Sequence, residues 1–257
     1  MIRIIKISLF VVFIAAVLSL MGFIYIENGN QPIREIIVRI DREGDRGFLD
    51  KIQLTELIES NDSISRKTIR EIHVASIEKL ISRNVFVFQV DAYINLERNL
   101  IVNIMEQTPL VRIFPRHSDG FYISKEGNMF PLSDRYTSRV LIANGYLETT
   151  YRKDHRDIFD TIYEGQQLTD IYRLAKLISA NPFLRAQISQ IYVNSRKEFD
   201  LIPELGEHII RMGTMENVED KLANLETWYK KAMTKEDWNK YKIINIKYKN
   251  QVVCTQN

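Results

Sequence analysis

The chain has 257 residues, and its 35 basic and 33 acidic side chains leave a formal net charge of +2. This near balance argues against a nucleic-acid surface, which requires clustered lysine and arginine to replace phosphate counterions. A single cysteine excludes an intrachain disulfide and a cysteine-rich metal site. The length allows one or two domains of modest size.

The first apolar segment runs from Ile7 to Ile26 without a charged residue, and Arg3 and Lys6 precede it. A helix of about 20 residues spans roughly 30 Å, the thickness of the hydrocarbon core of a bilayer. A cleaved signal peptide has a shorter apolar region, of about 7–15 residues, and ends in a small-x-small site. We therefore predict an uncleaved transmembrane helix over residues 7–26. The positive-inside rule places residues 1–6 in the cytoplasm and the rest of the chain outside.

After a linker over residues 27–33, residues 34–107 show the pattern of a strand, two helices and two further strands. Apolar residues alternate from Ile36 to Ile40 in the first strand. Thr68 and Glu71 have the spacing of a capping box, which predicts a helix that begins at this point. Two helices on a three-stranded sheet make a small α+β unit.

Residues 108–250 consist of short apolar runs separated by Gly, Pro, Asn and Asp, which predicts an antiparallel sheet. Two helical patterns interrupt these runs, one from about Asp170 to Ser179 and one from about Glu216 to Met233. Pro182 is expected to end the first of them.

The last strand pattern, "YKIINIKYKN", places Ile244, Ile246 and Tyr248 on one face. A strand at the end of a sheet offers unpaired N–H and C=O groups that a partner segment can bind. The alternative is a strand paired on both sides within its own sheet, with no role in partner binding. We predict that residues 251–257, which include Cys254, form a C-terminal tail.

The sequence shows no clear catalytic motif. The histidines at 73, 117, 155 and 208 lack the spacing of a zinc site, and the triad letters at 117–119 are adjacent in one loop, where they cannot form a relay. GxSxG, Walker and GxGxxG motifs are absent from the sequence. A carboxylate pair for glycoside cleavage stays open, although no spacing indicates one, and the charged string at 152–157 fits a solvated loop or a partner-facing patch. We predict a protein without enzymatic activity, metal or cofactor that acts by binding.

Four strings in a fixed order resemble the FtsQ/DivIB family of bacterial cell-division proteins, in particular its Bacteroidetes branch. Residues 99–113, "NLIVNIMEQTPLVRI", are similar to the junction between the family's POTRA domain and its β domain. Residues 122–130, 141–145 and 244–253 resemble a hairpin, the strand after it and the closing strand of the β domain. Two departures are Ser124, where the family usually has aspartate, and Gln251, where glycine is common.

The resemblance implies an α+β fold: a single N-terminal transmembrane helix, a POTRA-like β-α-α-β-β domain and a mainly antiparallel β domain with two helices. It implies a bitopic, non-catalytic scaffold of the divisome in the inner membrane, with a periplasmic body at the division septum. The expected partners are FtsB-like and FtsL-like coiled-coil proteins, with components of the septal peptidoglycan synthase as further candidates, and the expected role is regulation of septal peptidoglycan synthesis. The partner would bind the closing strand region, at Ile246, Lys247, Tyr248, Lys249, Asn250, Gln251 and Val252.

Two other functions stay in view. Proteins for outer-membrane assembly or polypeptide transport also contain POTRA modules, but they need a transmembrane barrel of many alternating strands of about 10 residues. The residues after Pro109 contain too few such strands. An anchored cell-wall hydrolase would reveal itself by turnover of peptidoglycan by the purified protein.

Overall fold

A computed structural model describes residues 10–21, 29–62, 64–232, 240–249 and 251–256. The chain divides into two compact units, Met1–Glu106 and Gln107–Asn257. Both contain helices and strands, so the α+β content agrees with the prediction.

The apolar N-terminal segment contains helix α1, residues 10–21, whose side chains Phe10, Phe13 and Leu18 are 63%, 66% and 63% exposed. No helix in the described ranges combines the length and the apolar character needed to span a bilayer. The predicted transmembrane helix over residues 7–26 is therefore wrong as an element of this fold. Residues 7–9 and 22–26 lie outside the described residues.

The first unit contains a three-stranded sheet in the order β1-β3-β2. Strand β1 (Glu35–Asp41) pairs in parallel with β3 (Asn99–Glu106), and β3 pairs antiparallel with β2 (Val87–Ile94). Helices α2 (Lys51–Asp62) and α3 (Val74–Ile81) lie between β1 and β2 in the chain. The apolar face of the sheet and the apolar stripes of both helices form one core, as expected for an amphipathic sheet and helices that bury one side each.

The capping box forms, but it does not open the predicted helix. The backbone N–H of Thr68 donates to Glu71 Oε2 at 2.9 Å, and the box begins a 3₁₀-helix over Ile69–Glu71. Ile72 and His73 are then extended, and α3 starts at Val74 with His73 at its N-cap. The predicted start of the helix at Thr68 is thus wrong.

The carboxylate of Glu106 fastens the loop after β1. It accepts hydrogen bonds from the backbone N–H groups of Phe48 at 2.9 Å and Leu49 at 3.0 Å, and Arg42 lies 3.8 Å away. A Cβ on Gly47 would lie 2.3 Å from this carboxylate, so glycine permits the close approach of the loop. The acidic residue of the junction string therefore has a structural role, since charge-assisted hydrogen bonds are stronger than neutral ones.

The second unit contains a nine-stranded sheet in the order β12-β11-β10-β9-β8-β7-β4-β5-β6. Three neighbouring pairs are parallel, namely β4 with β7, β7 with β8 and β10 with β11, and the other pairs are antiparallel. The strands are β4 (Pro109–Ile113), β5 (Phe121–Ser124), β6 (Met129–Pro131), β7 (Leu141–Gly145), β8 (Ile188–Val193), β9 (Phe199–Pro203), β10 (Ile209–Gly213), β11 (Tyr241–Asn245) and β12 (Val253–Gln256).

One row of directly paired side chains crosses all nine strands. In sheet order it consists of Cys254, Ile244, Ile210, Leu201, Ile191, Ala143, Ile113, Phe121 and Pro131. Every residue from Ile244 to Phe121 in this row is 0% exposed. The row packs against the helices α4 (Leu168–Ala180), α5 (Pro182–Gln187) and α6 (Val218–Ala232) in a single core. A shift of one residue in any strand would turn its apolar side chains away from this core.

Local capping explains why a second helix follows α4. Pro182 does end α4, as predicted, but it is also the first residue of α5. The side chain of Asn181 accepts hydrogen bonds from the N–H groups of Phe183 at 2.9 Å and Leu184 at 3.2 Å. Asparagine at the N-cap followed by proline is a favoured helix start.

The hairpin between β5 and β6 is closed by Ser124. Its hydroxyl accepts hydrogen bonds from the N–H groups of Glu126 at 3.2 Å and Asn128 at 3.1 Å, and Gly127 has a φ of +91°. Serine and aspartate side chains both stabilise turns in this way. The departure from the family string at Ser124 therefore preserves the turn.

We expect Gly145→Ala to destabilise the second unit by at least about 2 kcal/mol. Gly145 has a φ of +99°, and a Cβ there would lie 2.3 Å from the carbonyl oxygen of Val193 on the neighbouring strand. Urea unfolding followed by tryptophan fluorescence measures the effect, since both tryptophans belong to the second unit. The matched control is Gly165→Ala, where φ is +76° but nothing lies within 4 Å. It should cost only about 1 kcal/mol, and equal losses would contradict the clash.

Candidate partner-binding edge

Strand β11 lies inside the sheet and not at its edge. It pairs in parallel with β10 and antiparallel with β12, and the N–H of Ile246 extends the contact by donating to the carbonyl of Arg211 at 3.0 Å. The predicted "YKIINIKYKN" strand is therefore paired on both sides. The edge is β12, which pairs with β11 alone among the described strands.

The hydrogen bond from Ile246 to Arg211 fixes which backbone groups point to the free edge. Backbone groups alternate in direction along a strand, so those of Ile243 and Asn245 point towards β12. Their partners are Thr255 and Val253, whose backbone groups therefore point to β11. The N–H and C=O of Cys254 must then point away from the sheet, where a further strand can bind them.

The opposite edge of the sheet is covered. The N–H of Met129 in β6 donates to the carbonyl of Arg156 at 2.6 Å, and the N–H of Ile158 donates to the carbonyl of Gly127 at 3.1 Å. The segment is held by a 2.6 Å contact between His155 Nδ1 and Asp160 Oδ2, and this hydrogen bond holds the pKa of the Asp160 carboxyl below its usual range. The charged string at 152–157 thus lies along β6, and edge strands are commonly protected in this way.

An apolar shelf lies beside β12 on the helix side of the sheet. Val252, Cys254, Tyr241 and Trp228 are half-buried and pack against the core, and the rings of Trp228 and Tyr241 meet edge to face at 5.4 Å. Burial raises the pKa of the Cys254 thiol. Within the predicted C-terminal tail over 251–257, residues Val253–Gln256 form a strand, and Cys254 is part of the core row.

The structure gathers the predicted site residues in the turn between β11 and β12. Ile246 is 1% exposed and belongs to the core, whereas Tyr248 is 54% exposed. Lys249 and Gln251 are also exposed, and Val252 belongs to the apolar shelf. Asn250 lies outside the described residues. Partner binding by these residues stays a prediction.

Lys247 differs from its exposed neighbours. Its Nζ donates to Glu198 Oε1 at 2.8 Å, and its N–H donates to Asn245 Oδ1 at 3.0 Å. The side chains of Lys247 and Glu198 are 29% and 20% exposed. This residue is tied to its own chain.

Within the described ranges, no cluster of three or more His, Cys, Asp or Glu side chains could hold a metal ion. The buried pair of His208 and Tyr229, with Nε2 and Oη 2.6 Å apart, joins the region before β10 to α6, and burial raises the pKa of the Tyr229 hydroxyl. Both side chains lie within the packed core region.

The residues of β12 were missed at the sequence level. The string "VVCT" contains β-branched residues that favour a strand, and this was the available signal. A strand of four residues is nevertheless stable only through its pairing partner, which the local pattern does not show.

A family model described as "FtsQ/DivIB, C-terminal related" matches residues 108–255. The match covers more than half of the chain and includes all nine strands of the second unit, from β4 to β12, except Gln256, the last residue of β12. No curated protein matches the chain.

Proposed function

The chain belongs to the FtsQ/DivIB C-terminal related family, and from this premise we propose that it is a non-catalytic scaffold of the cell-division machinery that binds a partner by strand addition at β12. Membership of this family supports a division-associated role. Strand addition at β12 is supported by one observation: β12 is an edge strand of the nine-stranded sheet and pairs with β11 alone among the described strands.

The edge of β12 has what an added strand requires. Its outward N–H and C=O groups at Cys254 can each form a main-chain hydrogen bond with an extended segment. On the added strand, the side chain paired with Cys254 would continue the apolar row across the sheet. It would lie on the same face as the shelf of Val252, Tyr241 and Trp228. Side chains beside Val253 and Thr255 would lie on the outer face. An amphipathic strand with apolar residues on the α6 side therefore fits best.

The turn before β12 supplies a second contact. Tyr248 is 54% exposed, and a half-apolar ring of this kind is a common anchor in protein interfaces. Tyr248 and Lys249 lie next to the added strand in our proposal, and Ile246 holds the turn to the core from below.

The partners proposed for this edge are FtsB-like and FtsL-like coiled-coil proteins, with components of the septal peptidoglycan synthase as further candidates. Binding at the division septum would let the scaffold regulate septal peptidoglycan synthesis without catalysis of its own. Membership of the FtsQ/DivIB C-terminal related family supports the division-associated part of this proposal.

We expect depletion of the protein in its source organism to produce filaments, because a cell without this scaffold would fail to complete septa. A functional fluorescent fusion should concentrate at midcell before constriction. Microscopy of depleted cells measures both effects. Normal division together with a uniform signal would contradict the division role.

We expect Cys254→Pro to weaken binding of an FtsB-like partner at least about tenfold, since proline removes the N–H that faces the free edge. Titration calorimetry with the purified partner measures the affinity. Cys254→Ala is the matched control, because it removes the thiol and keeps the N–H, and it should bind within about twofold of the unaltered chain.

A circular dichroism spectrum equal to that of the unaltered chain is required of both variants, since proline is tolerated at edge positions whose N–H is unpaired. Equal affinities for Cys254→Pro and Cys254→Ala would refute strand addition at β12.

A further inference from the structure

We infer that Lys247 is a positioning residue, which locks the turn between β11 and β12 to the rest of the sheet and thereby presents the β12 edge to the partner. The inference rests on the proposed function and concerns the regulation of the same site. It differs from the sequence-level expectation, in which Lys247 contacts the partner directly.

The first observation is the path of the Lys247 side chain. Its methylene groups pass over Gly213, the last residue of β10, where a Cβ would lie 2.9 Å from Cε and 3.0 Å from Cγ of the lysine. Gly213 has a φ of +80°, and together these facts explain the glycine. The methylene groups of Lys247 therefore occupy space that a side chain at position 213 would fill.

The second observation is the end of that path. Lys247 Nζ reaches Glu198 Oε1 at 2.8 Å, just before β9. The hydrogen bond from Lys247 is the largest cause that holds the pKa of the Glu198 carboxyl below its usual range. One side chain thus connects the β11–β12 turn, the end of β10 and the start of β9.

Other charged side chains of the same chain surround this pair. Arg196 Nε, on a side chain that is 75% exposed, lies 3.8 Å from Glu198 Oε2. Lys221 on α6 is buried, donates from Nζ to the carbonyl of Thr214 at 2.9 Å, and has its pKa lowered by burial. Glu198 is the one carboxylate bonded to Lys247 among the described residues. A partner that recruited Lys247 would have to break this pair.

The position of β12 depends on the turn that precedes it in the chain. Tyr248 comes directly after the lock, and β12 begins at Val253. Strand β12 has four residues and, among the described strands, pairs on one side only, so its position depends on both ends of the short turn. Release of Lys247 would loosen Tyr248 and β12 together and would weaken strand addition without the loss of any contact with the partner.

A charge exchange tests this inference. Lys247→Glu and Glu198→Lys each place like charges together, so each alone should weaken partner binding at least about fivefold. The double variant, which carries both Lys247→Glu and Glu198→Lys, restores an opposite pair and should bind within about twofold of the unaltered chain. A direct contact would give no rescue, since the side chain at position 247 would still face the partner with reversed charge.

Alkylation of Cys254 by iodoacetamide gives a readout that needs no partner. The chain has one cysteine, half-buried in β12, so the alkylation rate reports how firmly β12 is docked. Each single variant should react at least about threefold faster than the unaltered chain, and the double variant should return to the original rate. Lys242→Glu, at an exposed lysine on β11, is the matched control and should leave the rate unchanged.

Two results would overturn the inference: single variants that react at the original rate, or a double variant whose partner affinity stays as low as that of Lys247→Glu. A failure of the proposed function would give a different result from a failure of this inference. If the unaltered chain does not bind the partner at all, the alkylation rates still decide whether Lys247 locks the turn.

Discussion

The row of side chains from Cys254 to Pro131 is the constraint on which the second unit depends. Because all its central members are fully buried, the register of every strand is fixed by the same core. Strand β12 takes part in this row through Cys254, although it is short and, among the described strands, paired on one side. Its register is therefore set by burial as well as by hydrogen bonds, and its outward groups have a defined direction.

The two edges of the sheet are treated differently by the chain. The β6 edge ends in Pro131 and is bonded to the segment around Arg156 and Ile158, which is fastened by the His155–Asp160 pair. The β12 edge has no such cover among the described residues. Since an unprotected edge carries a risk of unwanted pairing, this asymmetry is the physical argument for a partner at β12. The Lys247–Glu198 pair then gives the uncovered edge a fixed position.

The sequence was sufficient where one pattern decides the structure. Apolar periodicity located both ends of α4 and the start of α6 to within two residues, and the alternation in the last strand correctly turned Ile244 and Ile246 inward. The local sequence pattern was insufficient where a contact with another segment of the chain determines the structure. The turn after Ile246 ends the alternation at Tyr248, and β12 exists because Ile243 and Asn245 pair with it. In the sequence, Lys247 resembles a surface residue that contacts a partner, and only the fold shows that its Nζ donates to Glu198. The transmembrane prediction was wrong: apolar composition favoured a spanning helix over residues 7–26, but no helix in the described ranges is long and apolar enough to span a bilayer.

Amide hydrogen exchange of the second unit, with and without an FtsB-like partner, tests the β12 edge most directly. If the partner adds as a strand, the amide of Cys254, which points away from β11, should become protected by at least about an order of magnitude. The amides of Val253 and Thr255, which point to β11, should change much less. Protection confined to the exposed turn around Tyr248, with the Cys254 amide still exchanging as in the free chain, would contradict the account.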